Sequence, residues 1–322
     1  MLTQPKLNFL RKAAEPDTLE SRVGNTPLIR LTRITTGLPS SVQVFAKAEW
    51  FNPSGSVKDR PAANILRDAI ETGKLDGGRR LLDSTSGNMG IAYATLGASR
   101  GVGVTLAMPG NASPERLSIL RVLGAELVLT DPLEGSDGAI LEARRLATEY
   151  PDRYDYANQY SNPANWQAHY LSTGPEIIEQ TNGQVTHFVA GLGTSGTLVG
   201  TGRRLKEYSP DIQLVAVQPD APFHGLEGLK HMHSTIKPGI YDEALADVNL
   251  SVHTEEAQRM TLRLAREEGL FVGISAGAAA VAALEVATTL AEGIVVAIFP
   301  DAGFKYLSER FWKAQSDSRV VE

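Results

Sequence analysis

One lysine stands where its amine could do chemistry. Lys58 lies in NPSGSVKDR (52–60), where Asn52-Pro53 and Ser54-Gly55 are turn chemistry and Pro61 suits the first turn of a helix. The positive end of that helix disfavours a nearby cation, lowers the amine's pKa and frees it for Schiff-base chemistry. Read alone, the segment favours a solvated lysine paired with Asp59. Three further segments change the balance. In VAGLGTSGT (189–197) an apolar run enters a turn rich in glycine and hydroxyls. A helix starting there would aim its free N–H groups at a phosphate. Glycines chosen only for a tight turn are the plainer alternative. DSTSGNMG (83–90) repeats the arrangement, and its hydroxyls with Asn88 suit a carboxylate or simply cap a helix. FVGISAGAAAVAAL (271–284) places Ser275 at the head of a small-residue helix, as a cap or facing a ligand atom.

The glycine turn also admits a rival. Gly191, Gly193 and Gly196 satisfy G-x-G-x-x-G, and the following QLVAVQPD puts Asp220 in reach of a ribose. A nicotinamide-dependent oxidoreductase therefore stays open on this segment, although no catalytic His or Asp partner for it stands out elsewhere.

Positioning these segments requires a regular scaffold. Strands are expected at 25–31, 43–48, 104–108, 126–130, 187–191, 213–218 and 294–299, and helices at 60–73, 113–125, 136–150, 198–208 and 254–269. Short apolar runs alternating with helices of this length mean βαβ units and parallel sheets covered on both faces. The rhythm breaks in PDRYDYANQYSNPANW (151–166). The expectation is an α/β chain of two domains, each with a mostly parallel sheet flanked by helices. A smaller domain covers 48–154, and a larger one covers 1–47 with 155–322.

Composition removes several classes of function. With 31 basic and 37 acidic residues the net charge is -6, and no basic face is dense enough for a nucleic-acid backbone. The chain has no cysteine, which excludes disulfides, thiolate metal sites and a cysteine nucleophile; no metal is expected. No run approaches the roughly 18 apolar residues of a membrane span, and the start lacks a signal-peptide core, so a cytoplasmic enzyme is expected.

Together, NPSGSVKDR, TSGN, GTSGT and GISAG in this order resemble the cysteine synthase (O-acetylserine sulfhydrylase) family of fold type II pyridoxal-phosphate enzymes, the tryptophan synthase β-like architecture. The likeness runs from GNTPLIRL (24–31) to FPDAGFKYLS (299–308). HFVAGLGTSGTLVGTGR, NQYSNPANW and HYLSTGPEI are similar to the B-type branch. The resemblance implies that Lys58 carries pyridoxal 5′-phosphate as an internal aldimine and, once released, moves protons. It implies that Asn88 bonds the cofactor's 3′-oxygen, that Gly193, Thr194, Ser195, Gly196 and Thr197 hold its phosphate, and that Ser275 faces the pyridine nitrogen. Thr85, Ser86, Asn88 and Gln159 would bind the substrate's carboxylate, with Met89 beside them. The implied reaction is β-replacement on O-acetyl-L-serine or O-phospho-L-serine through an α-aminoacrylate, giving L-cysteine from a sulfur donor in a homodimeric enzyme.

Two positions bear on the substrate. Met89 stands where the family reads threonine, bringing an apolar side chain to the site. That would also suit a synthase of aminocarboxyethyl amino acids (precursors of 2,3-diaminopropionate); a serine/threonine dehydratase is a further alternative. Lys230, in GLEGLKHM (225–232), matches in charge a basic residue of enzymes that accept O-phosphoserine, yet with His224, His231 and His233 it is equally a polar surface loop.

Overall fold

The computed structural model describes residues 18–85 and 87–312. Two sheets organise the chain. The larger is built from β1 (Leu28–Leu31), β2 (Val42–Ala48), β7 (His187–Gly191), β8 (Gln213–Pro219), β9 (Val248–Val252) and β10 (Gly293–Phe299), in the spatial order β1-β2-β10-β7-β8-β9. Only the edge strand β1 runs antiparallel; it pairs Leu28 with Lys47 and Leu31 with Val44. The smaller sheet is all parallel, in the order β5-β4-β3-β6, from β3 (Arg80–Ser84), β4 (Val104–Pro109), β5 (Glu126–Thr130) and β6 (Tyr154–Tyr156).

Nine helices fill the connections: α1 (Asp59–Glu71), α2 (Asn88–Arg100), α3 (Pro114–Val122), α4 (Gly135–Glu149), α5 (Pro163–Leu171), α6 (Thr173–Gln180), α7 (Gly196–Tyr208), α8 (Thr254–Arg263) and α9 (Ile274–Thr288) are those of the described residues. Strand alternation sorts the side chains to two faces. In β10, Val295, Ala297 and Phe299 join the alanines of α9, whereas Val296 and Ile298 join Leu198 and Leu205 of α7 and Ile177 of α6. In the small sheet Leu81, Val104 and Leu106 face α1 and α2, while Leu82 and Ala107 face Ala139 and Ala143 of α4. Both sheets are thus covered on both faces, which is why their strands read as unbroken apolar runs. The chain is α/β, as expected.

Three departures from the expected elements have local causes. Asn162 accepts the Ala164 N–H at 3.0 Å with Pro163 in the first turn, so α5 begins inside the segment where the rhythm breaks. β6 lies in that segment too and forms an edge of the small sheet beyond residue 154. The helix expected over 254–269 keeps α-geometry to Arg263, then widens into a π-turn over Leu264–Glu268 before Gly269 stops it in the left-handed conformation.

Candidate active site

A cleft of about 620 Å³ opens between the two sheets, at the carboxyl ends of β3 and β7. It is lined by Lys58, Thr85, Asn88, Met89, Gln159, Gly193, Thr194, Ser195, Thr197, Lys230 and Ser275. Eleven residues singled out from six separate stretches of sequence therefore meet in one place. Gly196, between Ser195 and Thr197, is not itself part of the lining, and Ser86 falls outside the described residues.

Lys58 is the residue immediately before α1. The pairing with Asp59 that would have made it an ordinary surface lysine does not form. Asp59 is buried, and its carboxylate accepts from Ser54 N (2.7 Å), Ser54 Oγ (2.6 Å) and Ser56 N (3.3 Å). The Lys58 amine is left with no hydrogen bond to any described residue, facing the cleft. Burial lowers its pKa, against the pull of the Asp301 and Glu49 carboxylates, and Lys305 lowers it further. Desolvation, more than the helix end, is what makes this amine a nucleophile.

Opposite it, β7 ends in the turn 191–197. Ser195 takes a left-handed backbone (φ 67°) and α7 starts at Gly196 without a side-chain cap. The hydroxyl of Thr194 is held by Asn165 Nδ2 at 3.1 Å, and that of Thr197 lies 3.3 Å from His169 Nε2. Burial keeps His169 neutral, far below its usual pKa. There is no room for a side chain at the two inner glycines. A Cβ on Gly193 would fall on the carbonyl oxygen of Gly228, and one on Gly196 on the side-chain oxygen of Asn165. The turn is a shallow cradle of N–H and O–H groups sized for a small anion. Ser275 sits in the first turn of α9, 6% exposed, and caps nothing.

Thr85, Asn88 and Met89, where β3 gives way to α2, line the same cleft. The hydroxyl of Thr85 accepts from Gly87 N (3.0 Å) and Gly90 N (3.2 Å), so it fixes the start of α2 and retains only its own proton to donate. Gln159 donates to the Ser84 carbonyl at 2.6 Å. Beneath both, Asp83 is pushed up to about 7 by burial despite accepting from Ser84 N, Tyr93 Oη and Gln159 N. Met89 is 2% exposed and belongs to the apolar cluster beneath α2, reaching the cleft only as part of its wall.

Two ion pairs cross the cleft. Arg116 of α3 reaches Glu227 at 2.9 Å, and Lys230 reaches Asp137 of α4 at 3.0 Å, with Ser136 Oγ also at 3.0 Å. Lys230 is 5% exposed, so the surface-loop alternative does not describe it. Sequence reasoning missed Arg116, Asp301, Lys305 and Tyr306, which surround Asn88 and the loop before it. FPDAGFKYLS was visible as part of a resemblance, but nothing in its composition marks its charges as interior.

These residues fit a group with a carbonyl for the Lys58 amine at one end and a phosphate for the turn at the other. Asp220, which a ribose-binding reading requires, is instead paired with His253. A family model described as pyridoxal-phosphate dependent enzyme matches residues 19–301. The chain is 53% identical over 303 residues to the cysteine synthase of Aquifex aeolicus, covering 92% of each chain. It is 41% identical to cysteine synthase B of Escherichia coli, covering 90% of this chain and 94% of that one. The crystal structure of cysteine synthase from Entamoeba histolytica superposes with a TM-score of 0.87 at 35% identity, covering 97% of this chain and 94% of that one. An uncommitted amine and a phosphate cradle in one cleft thus have a common explanation: the chain belongs to the pyridoxal-phosphate-dependent enzymes of fold type II, within the cysteine synthase group.

Proposed function

We propose that the protein makes L-cysteine by replacing the acetoxy group of O-acetyl-L-serine with sulfide. The observation that carries this is the unpartnered Lys58 amine in a cleft shared with the 193–197 cradle and Ser275. Relatives named cysteine synthase, matched over nine-tenths of the chain, support it.

Bound pyridoxal phosphate supplies an electron sink for the substrate's α-carbon. The amides and hydroxyls of Gly193, Thr194, Ser195, Gly196 and Thr197 would hold its phosphate, Asn88 would donate to its ring oxygen, and Ser275 would face its ring nitrogen. A hydroxyl there, in place of a carboxylate, would leave that nitrogen largely unprotonated, which suits β-elimination and replacement. The Thr85 hydroxyl, the backbone of 87–89 and the second amide proton of Gln159 bind the substrate carboxylate. Lys58 Nζ takes the α-proton as acetate departs from the β-carbon, and returns it to the α-carbon once hydrosulfide has added to the β-carbon. Residues 48–154 form the smaller unit that closes over the carboxylate and keeps water out. The reading includes a cytoplasmic homodimer, supported by the family likeness; none of the described helices is long and apolar enough to cross a membrane.

The cradle role has a direct consequence. Gly193→Ala sets a methyl group against the Gly228 carbonyl and moves the turn. Cofactor affinity, read by titrating the apoprotein with pyridoxal phosphate, is expected to fall by about tenfold or more, from the loss of one or two charge-assisted hydrogen bonds.

The choice of leaving group rests on Lys230. Its charge is matched by Asp137, so a phosphate brought to it would meet a carboxylate already in place. That favours the neutral acetyl ester. With O-acetylserine and no sulfide, the enzyme is expected to release about one acetate per site in a burst and then stop, while sulfide restores turnover with formation of cysteine. O-phosphoserine should be the poorer substrate, and Asp137→Asn should raise its kcat/KM relative to O-acetylserine by roughly tenfold, as removing one like charge from a half-buried site allows. Failure of O-acetylserine to release acetate sinks the substrate assignment; an unchanged ratio in Asp137→Asn sinks the role given to that ion pair.

A further inference from the structure

Three lysines of the interior have had their charges accounted for in different ways. Lys47 is paired with Glu176, and Lys230 with Asp137. Lys305, 7% exposed, has no carboxylate of the described residues within ion-pair distance. Its amine instead donates to the side-chain oxygen of Asn88 at 2.8 Å and lies 3.4 Å from the Gly55 carbonyl. A buried cation whose nearest partner is a neutral amide is an expensive arrangement, and burial lowers its pKa accordingly.

The other end of the same amide explains what that arrangement achieves. Asn88 Nδ2 donates to Asp301 Oδ2 at 2.7 Å, and the same carboxylate oxygen accepts from Tyr306 Oη at 2.5 Å. Asn88 is therefore held between a cation at its oxygen and an anion at its nitrogen. Turning the amide over would set its N–H groups against the Lys305 ammonium and its oxygen against the Asp301 carboxylate, two repulsions in a buried site. One Nδ2 proton is directed at Asp301 Oδ2 and, at the longer distance of 3.4 Å, at Tyr306 Oη, which sits 2.5 Å from that same carboxylate oxygen, so a single proton serves both. Asn88 lines the cleft, so the remaining proton is the single donor it can offer there.

We propose that Lys305, with Asp301, is a positioning residue that fixes the orientation of the Asn88 amide, so that its free N–H is presented to the ring oxygen of pyridoxal phosphate. Lys305 touches neither cofactor nor substrate in this role. It acts through Asn88. The inference rests on the cofactor reading above and adds a residue to it. The geometry also ties the two sheets together at this point, since Asn88 begins α2 on the small sheet and residues 301–306 follow β10 of the large one.

The test compares wild type, Lys305→Met, Lys305→Arg and Asn88→Ala, each loaded with pyridoxal phosphate, by absorbance spectrum and by titration of the apoprotein. Lys305→Met is expected to bind cofactor about tenfold more weakly, the loss of one well-placed hydrogen bond. Its visible band should fall relative to the near-ultraviolet band, because the ionised ring oxygen has lost its donor. Lys305→Arg, which keeps a buried cation, should restore most of both. Adding Lys305→Met to Asn88→Ala should cost nothing more, since both changes remove the same interaction. If Lys305→Met does not fold, Lys305→Gln is read in the same way. A yellow wild type with an unchanged Lys305→Met spectrum and affinity overturns the inference alone, as does an additive loss in the double variant. A wild-type protein that never turns yellow overturns the cofactor reading and this inference together.

Discussion

Lys58→Ala protein incubated with excess pyridoxal phosphate should remain without the yellow colour of the wild type, and its rate of cysteine formation should fall by at least about a thousandfold. The size follows from removing the covalent anchor and the proton carrier in one substitution. Stability should move the other way. The Lys58 amine has no hydrogen bond to any described residue, and burial depresses its pKa. A lysine with a depressed folded-state pKa binds its proton more weakly in the folded state than in the unfolded chain, so it destabilises the apoprotein at neutral pH. That penalty fades as pH rises from the folded-state pKa toward the ordinary lysine value near ~10.4. Apo Lys58→Ala is therefore expected to melt above apo wild type at neutral pH, with the gap closing in strong alkali. Retained colour and turnover in Lys58→Ala would remove the basis of the whole functional reading. A lower melting temperature would show instead that the substitution had damaged the fold.

The second large effect concerns the support of that lysine. Two residues along, Arg60 is 2% exposed and bridges two buried carboxylates. Its Nε and Nη2 reach Glu49 at 2.7 and 2.8 Å; its Nη1 and Nη2 reach Glu176 at 2.7 and 2.8 Å. Thr26 and Lys47 complete the cluster. Burial works to raise Glu176, yet the hydrogen bonds and charge of Arg60, with Lys47, bring it down to about 2. Arg60→Met leaves Glu49 buried without its cation and Glu176 with Lys47 alone. The expected loss is roughly 3–5 kcal/mol, measurable by chemical denaturation. The pH dependence should change sign. In the wild type, the depressed Glu176 gives stability that is present above the ordinary carboxylate range and lost as pH falls toward 2. In Arg60→Met, a proton taken up by a carboxylate left buried without its cation removes an uncompensated charge, so mild acid should narrow the deficit. A variant as stable as wild type would mean that the cluster orders α1 without stabilising it.

The fold was legible because both sheets are covered on both faces. Runs such as HFVAG and IVVAIF have no polar alternation to blur them, and their bounds fall within one residue of the strands found. Of the four edge strands, β1 and β5 were expected, whereas β6 and β9 were not legible. β6 is three residues long, and β9 is mostly exposed, so neither carries an apolar signature. The site was legible where its chemistry is local: a glycine turn must be contiguous to cradle an anion, and a lysine beside a helix start is read from its neighbours. Lys305 and Asp301 gave no such signal. Their significance comes from a partner more than 200 positions away, which only the folded chain brings within hydrogen-bond distance. Thr85 shows the opposite limit, for its hydroxyl serves the α2 terminus first, as the plainest sequence reading allowed.

The two contacts across the cleft have opposite polarity. On one wall Arg116 is positive and Asp137 negative; on the other Glu227 is negative and Lys230 positive. Sliding one wall along the other would bring Arg116 toward Lys230 in one direction, or Asp137 toward Glu227 in the other, setting like against like either way. The walls can therefore meet in a single register. Such keying adds little to the strength of the union, and it determines where every group that faces the substrate comes to rest.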